Sequence, residues 1–456
     1  MKITTIKQDG LAHLSYFVSS DDEAIVIDPR RDAQIYIDLA NKHQVEIKYV
    51  FETHRNEDYV IGSLELQNRY PSLKIGHSKE TKFKYGEIKL GDEDEFKVGS
   101  VKVVAMHTPG HTNDSMCYML IDSSVSNDPI VIFTGDTLFS NEVGRTDLVD
   151  IKLHEEQSEK LYHSLTEKVM KLPDGVIVYP AHGAGSVCGG DIADRDFTTI
   201  GYERVNNVWL DMDESEFIEA KLNQGLILSP YFKRCEHLNT VGPELISNLP
   251  CTEAFTVDRL EEFLKGSENT VIDTHNIEYF MREHIPKTVS LSMDSIGLLA
   301  GWALQEKHSF VFVLDDLENL DEARASLLRV GLDNIVGYLQ TGVSGWKKSG
   351  RNTESMKNYG LKELKELAEA GDIEIIDVRQ PHEFESGHIE SSFNAPLTHI
   401  REKMPKIDKS TPKAAICGVG LRSTTAASIL KKNGFMNIGV PLDGLKGWMK
   451  KGYSLE

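Results

Sequence analysis

The sequence predicts an α/β protein of about three domains, and three observations predict it. The chain has 456 residues, against roughly 150 per domain. Its first half alternates short β-branched runs with amphipathic helical stretches, the pattern of helices covering buried strands. Its second half contains one unit twice, the copies about 103 residues apart. The domains expected are 1–245, 246–350 and 351–456.

Composition narrows the class. Hydrophobic residues are 40% and charged residues 27%, ordinary for folded soluble domains. Lys+Arg number 50 and Asp+Glu 71, a net charge of −21. That balance argues against a sequence-independent nucleic-acid binder, which needs cations to displace counterions. A local basic pocket for a small anion stays open. No apolar run reaches the roughly 18 residues that span a bilayer, and MKITTIKQDGLAHLSYF lacks a secretory apolar core. Five scattered cysteines do not make a disulfide framework. The expectation is a reduced, cytoplasmic protein with neither nucleic acid nor membrane as partner, in which a special cysteine is catalytic.

In chain order, AIVIDP (from Ala24), IKYVFET (from Ile47), VKVVAMHTPGH (from Val101), SMCYMLI (from Ser115), PIVIFTGD (from Pro129) and GVIVYPAH (from Gly175) read as strands. HEEQSEKLYHSLTEKVMKL, from His154, has helical spacing. Four strand ends carry His or Asp: FETHRNED with His54, Asn56 and Asp58, HTPGHT with His107 and His111, FTGDT with Asp136, and YPAHGAG with His182. Imidazole and carboxylate suit a borderline divalent ion, and two His plus one carboxylate leave positions open. TPGHT and TGDT are also ordinary turn sequences, and a single His is more often structural. Four such ends in one domain weigh toward a metal.

The second half carries the repeat. VIDTHNIEYFMREHIPKTVS (from Val271) matches IIDVRQPHEFESGHIESSFN (from Ile375), with Asp and His eleven positions apart in both. GLDNIVGYLQTGVSGW (from Gly331) matches GFMNIGVPLDGLKGW (from Gly434). Residues 347–357, KKSGRNTESMK, read as the linker between the copies. In the last copy EIIDVR and KAAICG are short strands, and LKELKELAEAG (from Leu361) and STTAASILKKNG (from Ser423) are helices. These elements predict a small doubly wound parallel sheet, with its functional loop at a strand's carboxyl end. Cys417 sits there and opens the loop of Gly418, Val419, Gly420, Leu421 and Arg422 before a helix. Loop N–H groups, the helix N-terminus and Arg422 all favour a thiolate and would hold an anionic sulfur substrate. The earlier copy offers Asp315 or Asp316 instead, and no cysteine lies between Cys251 and Cys417. It cannot form a persulfide on that strand, and it reads as a spacer or assembly module.

THRNED, TPGHT, FTGDT and YPAH, in this order, resemble the metal motifs of the metallo-β-lactamase superfamily over nearly all of residues 1–210. GDTLFSNEVGRTDL, from Gly135, is similar to its persulfide dioxygenase branch. DVRQPHEFESGHI (from Asp377), CGVGLRS (from Cys417) and LDGLKGW (from Leu442) resemble the rhodanese sulfurtransferases over residues 357–456. The whole order resembles the Cst-type multidomain persulfide dioxygenase–sulfurtransferases. The fold this implies is a metallo-β-lactamase αββα sandwich followed by two rhodanese-like α/β domains, the first degenerate.

The superfamily's first motif is usually H-x-H-x-D-H, and here Asn56 and Tyr59 stand where His is normal. That counts against a dinuclear zinc thioester hydrolase of the glyoxalase II kind, which remains the alternative. The resemblance implies one Fe(II) per chain on His54, His111 and Asp136, with Asp58 and His182 orienting ligands and water. It gives His107, Asp377, Arg379 and His388 structural roles. It implies a low-molecular-weight persulfide and dioxygen as substrates, sulfite and thiosulfate as products, sulfide detoxification as the setting, and a homodimer or homotetramer. Cys188, in the Gly-rich HGAGSVCGG near the expected iron, is a candidate to receive or pass sulfur. Arg145 and Arg204 are candidates to hold an anionic thiol cofactor, and Cys117 is expected in the core.

Overall fold

The alternating runs of the first half fold into two six-stranded sheets. The structure, a computed structural model, describes residues 1–226 and 228–456 and divides into two units, Met1–Asn248 and Leu249–Glu456. In the first unit one sheet runs in chain order through Lys2–Gln8, His13–Ser20, Glu23–Ile27, Glu46–Phe51, Lys74–Ser78 and Ile88–Leu90. The other places Thr198–Thr199, Ile177–Pro180, Val131–Gly135, Met116–Asp122, Val101–His107 and Glu95–Val98 side by side in that order.

The inner faces of the two sheets share a core of Tyr16, Ile25, Phe51, Val103, Tyr118 and Phe133. Helices Gln34–His43 and Ser63–Arg69 cover the first sheet's outer face through Tyr36, Ala40 and Leu66. Helices His154–His163 and Glu214–Leu222 cover the second through Leu161 and Phe217. These four layers are the expected αββα sandwich. Because both faces of each sheet are covered, the strands read as continuous apolar runs rather than alternating ones.

One helix departs from its sequence reading. From His154 it is α-helical only to His163, widens into a π turn at Ser164–Lys168, and tightens at Val169–Lys171. The cause is the spacing of Leu161, Leu165 and Val169, all buried. Steps of four residues drift off one face of a 3.6-residue helix, and a wider turn brings them back.

The second unit holds two five-stranded sheets of one spatial order. The first reads Glu253–Phe255, Ile335–Leu339, Ser309–Val313, Asn269–Asp273, Val289–Ser290; the second reads Lys357–Asn358, Ile438–Val440, Lys413–Ile416, Glu374–Asp377, Phe393–Asn394. Every neighbouring pair in both is parallel. The sequence repeat is thus a repeat of topology.

Residues 347–357, read as a polar linker, are tied down along their length. Trp346 Nε1 donates to Asn352 O at 2.9 Å, His284 and Glu354 exchange backbone hydrogen bonds at 2.9 Å, and buried Met356 donates its N–H to Met281 O at 2.8 Å. The copies also meet through helix Leu421–Lys432. Thr425 Oγ1 donates to Ser290 O at 2.8 Å, and Ser290 N–H donates to Ser428 Oγ at 3.0 Å. No helix among the described residues is long and apolar enough to cross a membrane.

Candidate metal centre and cysteine loop

Each histidine or aspartate of the cluster leaves the carboxyl end of a strand. His54 comes after Glu46–Phe51, His111 after the turn that ends Val101–His107, Asp136 after Val131–Gly135, and His182 after Ile177–Pro180. Gly135 has φ +52°, and a Cβ there would lie 2.7 Å from Thr53 Cβ. Only glycine lets this strand end so close to the His54 loop.

Donor atoms of His54, His111 and Asp136 lie within 4.8 Å of one another. Asp136 Oδ2 is 3.4 Å from His111 Nε2 and 3.9 Å from His54 Nε2. The outer ring nitrogens are engaged elsewhere. The Thr53 hydroxyl donates to Asp28 Oδ2 at 2.7 Å, so it accepts from His54 Nδ1 at 2.9 Å. His111 Nδ1 donates to Arg145 O at 2.9 Å. Both rings therefore carry their proton on Nδ1 and turn an Nε2 lone pair into the cluster. Burial also holds the His54 pKa below its ordinary value, favouring the neutral, ligating form.

His54 Nε2, His111 Nε2 and Asp136 Oδ2 are buried without a hydrogen-bond partner. A buried polar atom left unmatched costs about 1–3 kcal/mol. Three that converge are matched by a cation, so the donor set fits a metal ion.

The neighbouring groups orient this set. His182 Nδ1 donates to Asp136 Oδ1 at 2.8 Å, which leaves Oδ2 for the cluster. Burial would depress the His182 pKa, but the carboxylates of Asp136 and Asp58 push it well above the ordinary value. Asp58 Oδ2 is 2.9 Å from His182 Nε2, yet neither atom makes an aligned hydrogen bond. Asp58, His182 and Cys188 accordingly form a second donor group within 4.8 Å. Cys188 is fully buried, and its thiol donates to Glu57 Oε1 at 3.2 Å. Burial, then Asp58, Glu57 and Asp136, push that thiol pKa well up. Asn56 Nδ2 folds back onto His54 O at 3.1 Å, and Tyr59 stacks on His13 with centroids 3.7 Å apart. His107 Nε2 donates to Asn113 O at 2.9 Å and holds its own turn.

The two arginines differ from their expected place. Arg145 is buried, forks onto Asp147 with two bonds of 2.7 Å, and donates to Val187 O at 3.0 Å and Leu226 O at 3.2 Å. Its guanidinium ties loops together, and its carbonyl holds His111. Arg204 lies exposed on helix Ile200–Asn206, donates to Met170 O at 2.8 Å and Leu172 O at 3.1 Å, and pairs with Asp174. Both guanidiniums are engaged by main-chain carbonyls and aspartates.

In the second unit Cys417 directly succeeds Lys413–Ile416, buried, with Sγ 3.4 Å from Ser423 Oγ. Helix Leu421–Lys432 starts from Gly420 at φ +87°, with no side chain capping its first N–H groups. Leu445 N–H and Lys446 N–H donate to Cys417 O at 2.8 Å and Gly418 O at 3.1 Å, so the LDGLKGW segment clamps the loop from behind. Gly418 has open space where a Cβ would stand, Val419 is exposed, and Leu421 is half-buried. Arg422 departs from the simple expectation. It forks onto Glu383 at 2.6 and 2.8 Å, so part of its charge is matched by a carboxylate. Arg379 pairs with Asp377 at 2.7 Å, and His388 stacks on Phe384 at 3.7 Å; both hold the fold.

Sequence reasoning missed Glu57, Thr53, Asp28 and Glu383. Glu57 lies between two motif residues, and only the loop's curl turns it inward. Glu383 stands within DVRQPHEFESGHI, but nothing in that string shows that Arg422 will reach it.

The metallo-beta-lactamase superfamily model matches residues 9–182 and the rhodanese-like domain model residues 360–451. The probable hydroxyacylglutathione hydrolase glo2 of Schizosaccharomyces pombe is 30% identical over 173 residues, covering 37% of this chain and 62% of that protein. The chain thus spans under two thirds of that relative's length. The mitochondrial persulfide dioxygenase ETHE1 of Bos taurus is 30% identical over 208 residues, covering 44% of this chain and 72% of that protein. A crystal structure of a metallo-beta-lactamase from Staphylococcus aureus subsp. aureus COL superposes with a TM-score of 0.66 at 25% identity, covering 74% of this chain and 98% of that one.

Proposed function

The chain belongs to the metallo-beta-lactamase superfamily in its first unit and carries a C-terminal rhodanese-like domain; from that premise we propose that it oxidises a low-molecular-weight thiol persulfide to sulfite and joins that sulfite to a second sulfane sulfur as thiosulfate. The observation that carries this reading is the convergence of three unmatched buried atoms, on His54, His111 and Asp136, beside a first motif with Asn56 and Tyr59 where histidines would supply a second metal. Two imidazoles and one carboxylate are the donor set of non-haem Fe(II) oxygenases.

A ferrous ion bound there would supply the open positions and the electrons that couple a sulfur anion to dioxygen. The protein's part is to hold the three donors. Thr53 and Arg145 O fix the two rings, and His182 fixes the carboxylate. The net reaction is RSSH + O2 + H2O giving RSH + sulfite + two protons. In the second unit the Cys417 thiolate attacks the outer sulfur of RSSH, the S–S bond breaks, RS⁻ leaves, and the outer sulfur with its proton stays on Cys417 Sγ as a persulfide. Sulfite then attacks that outer sulfur, the S–S bond breaks, and thiosulfate leaves with the Cys417 thiol restored. The uncapped helix N-terminus beside Gly420 favours both the thiolate and the incoming anion. The same reading gives Cys188, whose thiol donates to Glu57 Oε1, the role of receiving or passing sulfur within the first unit.

A second reading is a zinc-dependent thioester hydrolase. The observation that favours it is the second donor group of Asp58, His182 and Cys188, together with a hydroxyacylglutathione hydrolase relative as similar as the dioxygenase one. One experiment separates the two. The full chain is loaded anaerobically with ferrous iron and assayed in an oxygen electrode with several persulfides, while sulfite and thiosulfate are quantified. Oxygen uptake with matching sulfite is expected. Zinc retention with thioester cleavage and no oxygen uptake would overturn the first reading.

A further inference from the structure

We infer that Glu57 is a fourth protein ligand of this metal centre and the group that links it to Cys188. The inference rests on the reading of His54, His111 and Asp136 as metal ligands, and adds a residue that the motif pattern does not supply. Glu57 occupies a non-motif position, between Asn56 and Asp58.

The geometry carries it. Glu57 is 1% exposed. Its Oε1 lies 3.5 Å from His111 Nε2, and its Oε2 lies 3.8 Å from His54 Nε2. Asp136 makes its two approaches, 3.4 and 3.9 Å, with the single oxygen Oδ2, whereas Glu57 turns one oxygen to each nitrogen; Glu57, Asp136 and Cys188 also offer donor atoms within 4.8 Å of one another. The two carboxylates thus face the same pair of lone pairs. Glu57 Oε2 is buried and has no hydrogen-bond partner, the same condition as the three ligand atoms. A carboxylate oxygen left without a donor, deep in a protein, calls for a cation. Its other oxygen accepts the Cys188 S–H at 3.2 Å.

A fourth ligand changes the chemistry in two ways. A ferrous ion held by four protein donors would have fewer positions open to substrates than one held by three. The added negative charge also favours a divalent cation. Cys188 is then attached to the centre through one hydrogen bond, its thiol proton held by a metal-facing carboxylate.

The test is anaerobic titration of the full chain with ferrous iron against a competing chelator, with thermal unfolding recorded with and without iron. Wild type is compared with Glu57→Gln, Glu57→Asp and His111→Ala. Glu57→Gln keeps the shape and an oxygen for Cys188 while removing the charge. It should bind iron roughly 10- to 100-fold more weakly and show a smaller iron-induced rise in Tm, with no loss of Tm in the iron-free form. Glu57→Asp, shorter by one methylene, should fall between wild type and Glu57→Gln, and serves if the Gln variant does not fold. A group that only braced the loop would instead lower the iron-free Tm and leave affinity alone. The inference is overturned if Glu57→Gln binds iron as tightly as wild type while His111→Ala does not. If His111→Ala also binds like wild type, the centre itself is misassigned, and the proposed function falls with it.

Discussion

Strands Ser309–Val313 and Lys413–Ile416 hold the same place in two sheets of the same order, but the loops that leave them differ by more than one cysteine. Lys413–Ile416 leads into Cys417, the glycines and a helix whose first N–H groups meet no side chain. Ser309–Val313 leads into Leu314, Asp315 and Asp316, and Asp316 accepts the Glu318 N–H at 2.9 Å to close a single 3-10 turn, Leu317–Asn319. The aspartate places its own carboxylate against backbone N–H groups of the kind an anionic substrate would need. Asp315 stands beside it, 67% exposed and 3.7 Å from His275 Nε2. The middle copy therefore has no cysteine at this strand end and sets a carboxylate against a backbone N–H there.

Substitutions in the two loops sharpen or break that contrast. The largest effect is expected from Cys417→Ala, which should reduce thiosulfate formation from persulfide and sulfite to background while iron binding by the first unit is unchanged. A residual rate traceable to the middle copy would show that the contrast is false. Next is Asp315→Cys. Alone it should create no sulfurtransferase. Combined with Asp316→Gly it should raise the new thiol's alkylation rate near neutral pH by about tenfold over the single variant, since an opened helix end lowers a thiol pKa by about one unit. Equal rates would mean that Asp316 does not govern the cradle. The smallest effects are in stability. Gly420→Ala sets a side chain at φ +87° with its Cβ 2.9 Å from Leu442 O, and should cost about 1–2 kcal/mol in urea unfolding. Asp316→Ala should cost about 1 kcal/mol through loss of its cap.

The parts of the fold legible in the sequence are those where chemistry sits on a strand that is buried on both faces. AIVIDP and PIVIFTG are such strands, VKVVAMH and GVIVYP alternate buried with half-buried residues, and the turns after strands of the two sheets carry His54, His111, Asp136 and His182. The N-terminal hairpin of Lys2–Gln8 and His13–Ser20 was not legible. Its first strand is edge-placed and half polar, and its second buries His13 and Ser15, types that do not announce a core strand. Glu57, the Asp316 cap and the Arg422–Glu383 fork escaped for one shared reason. Each depends on how an irregular loop curls or on a partner far along the chain, and neither leaves a periodic trace.

The hydroxyls of Thr425 and Ser428 satisfy both the N–H and the C=O of Ser290. Severing the chain between the copies would therefore bare an edge strand on one fragment and leave the Thr425 hydroxyl of the other without its acceptor, while Ser428 keeps its bond to Thr425 O at 2.7 Å. Such an edge pairs with whatever it meets. For recombinant work and limited proteolysis, a cut that keeps the two copies together keeps every bond that the cysteine helix makes to Ser290.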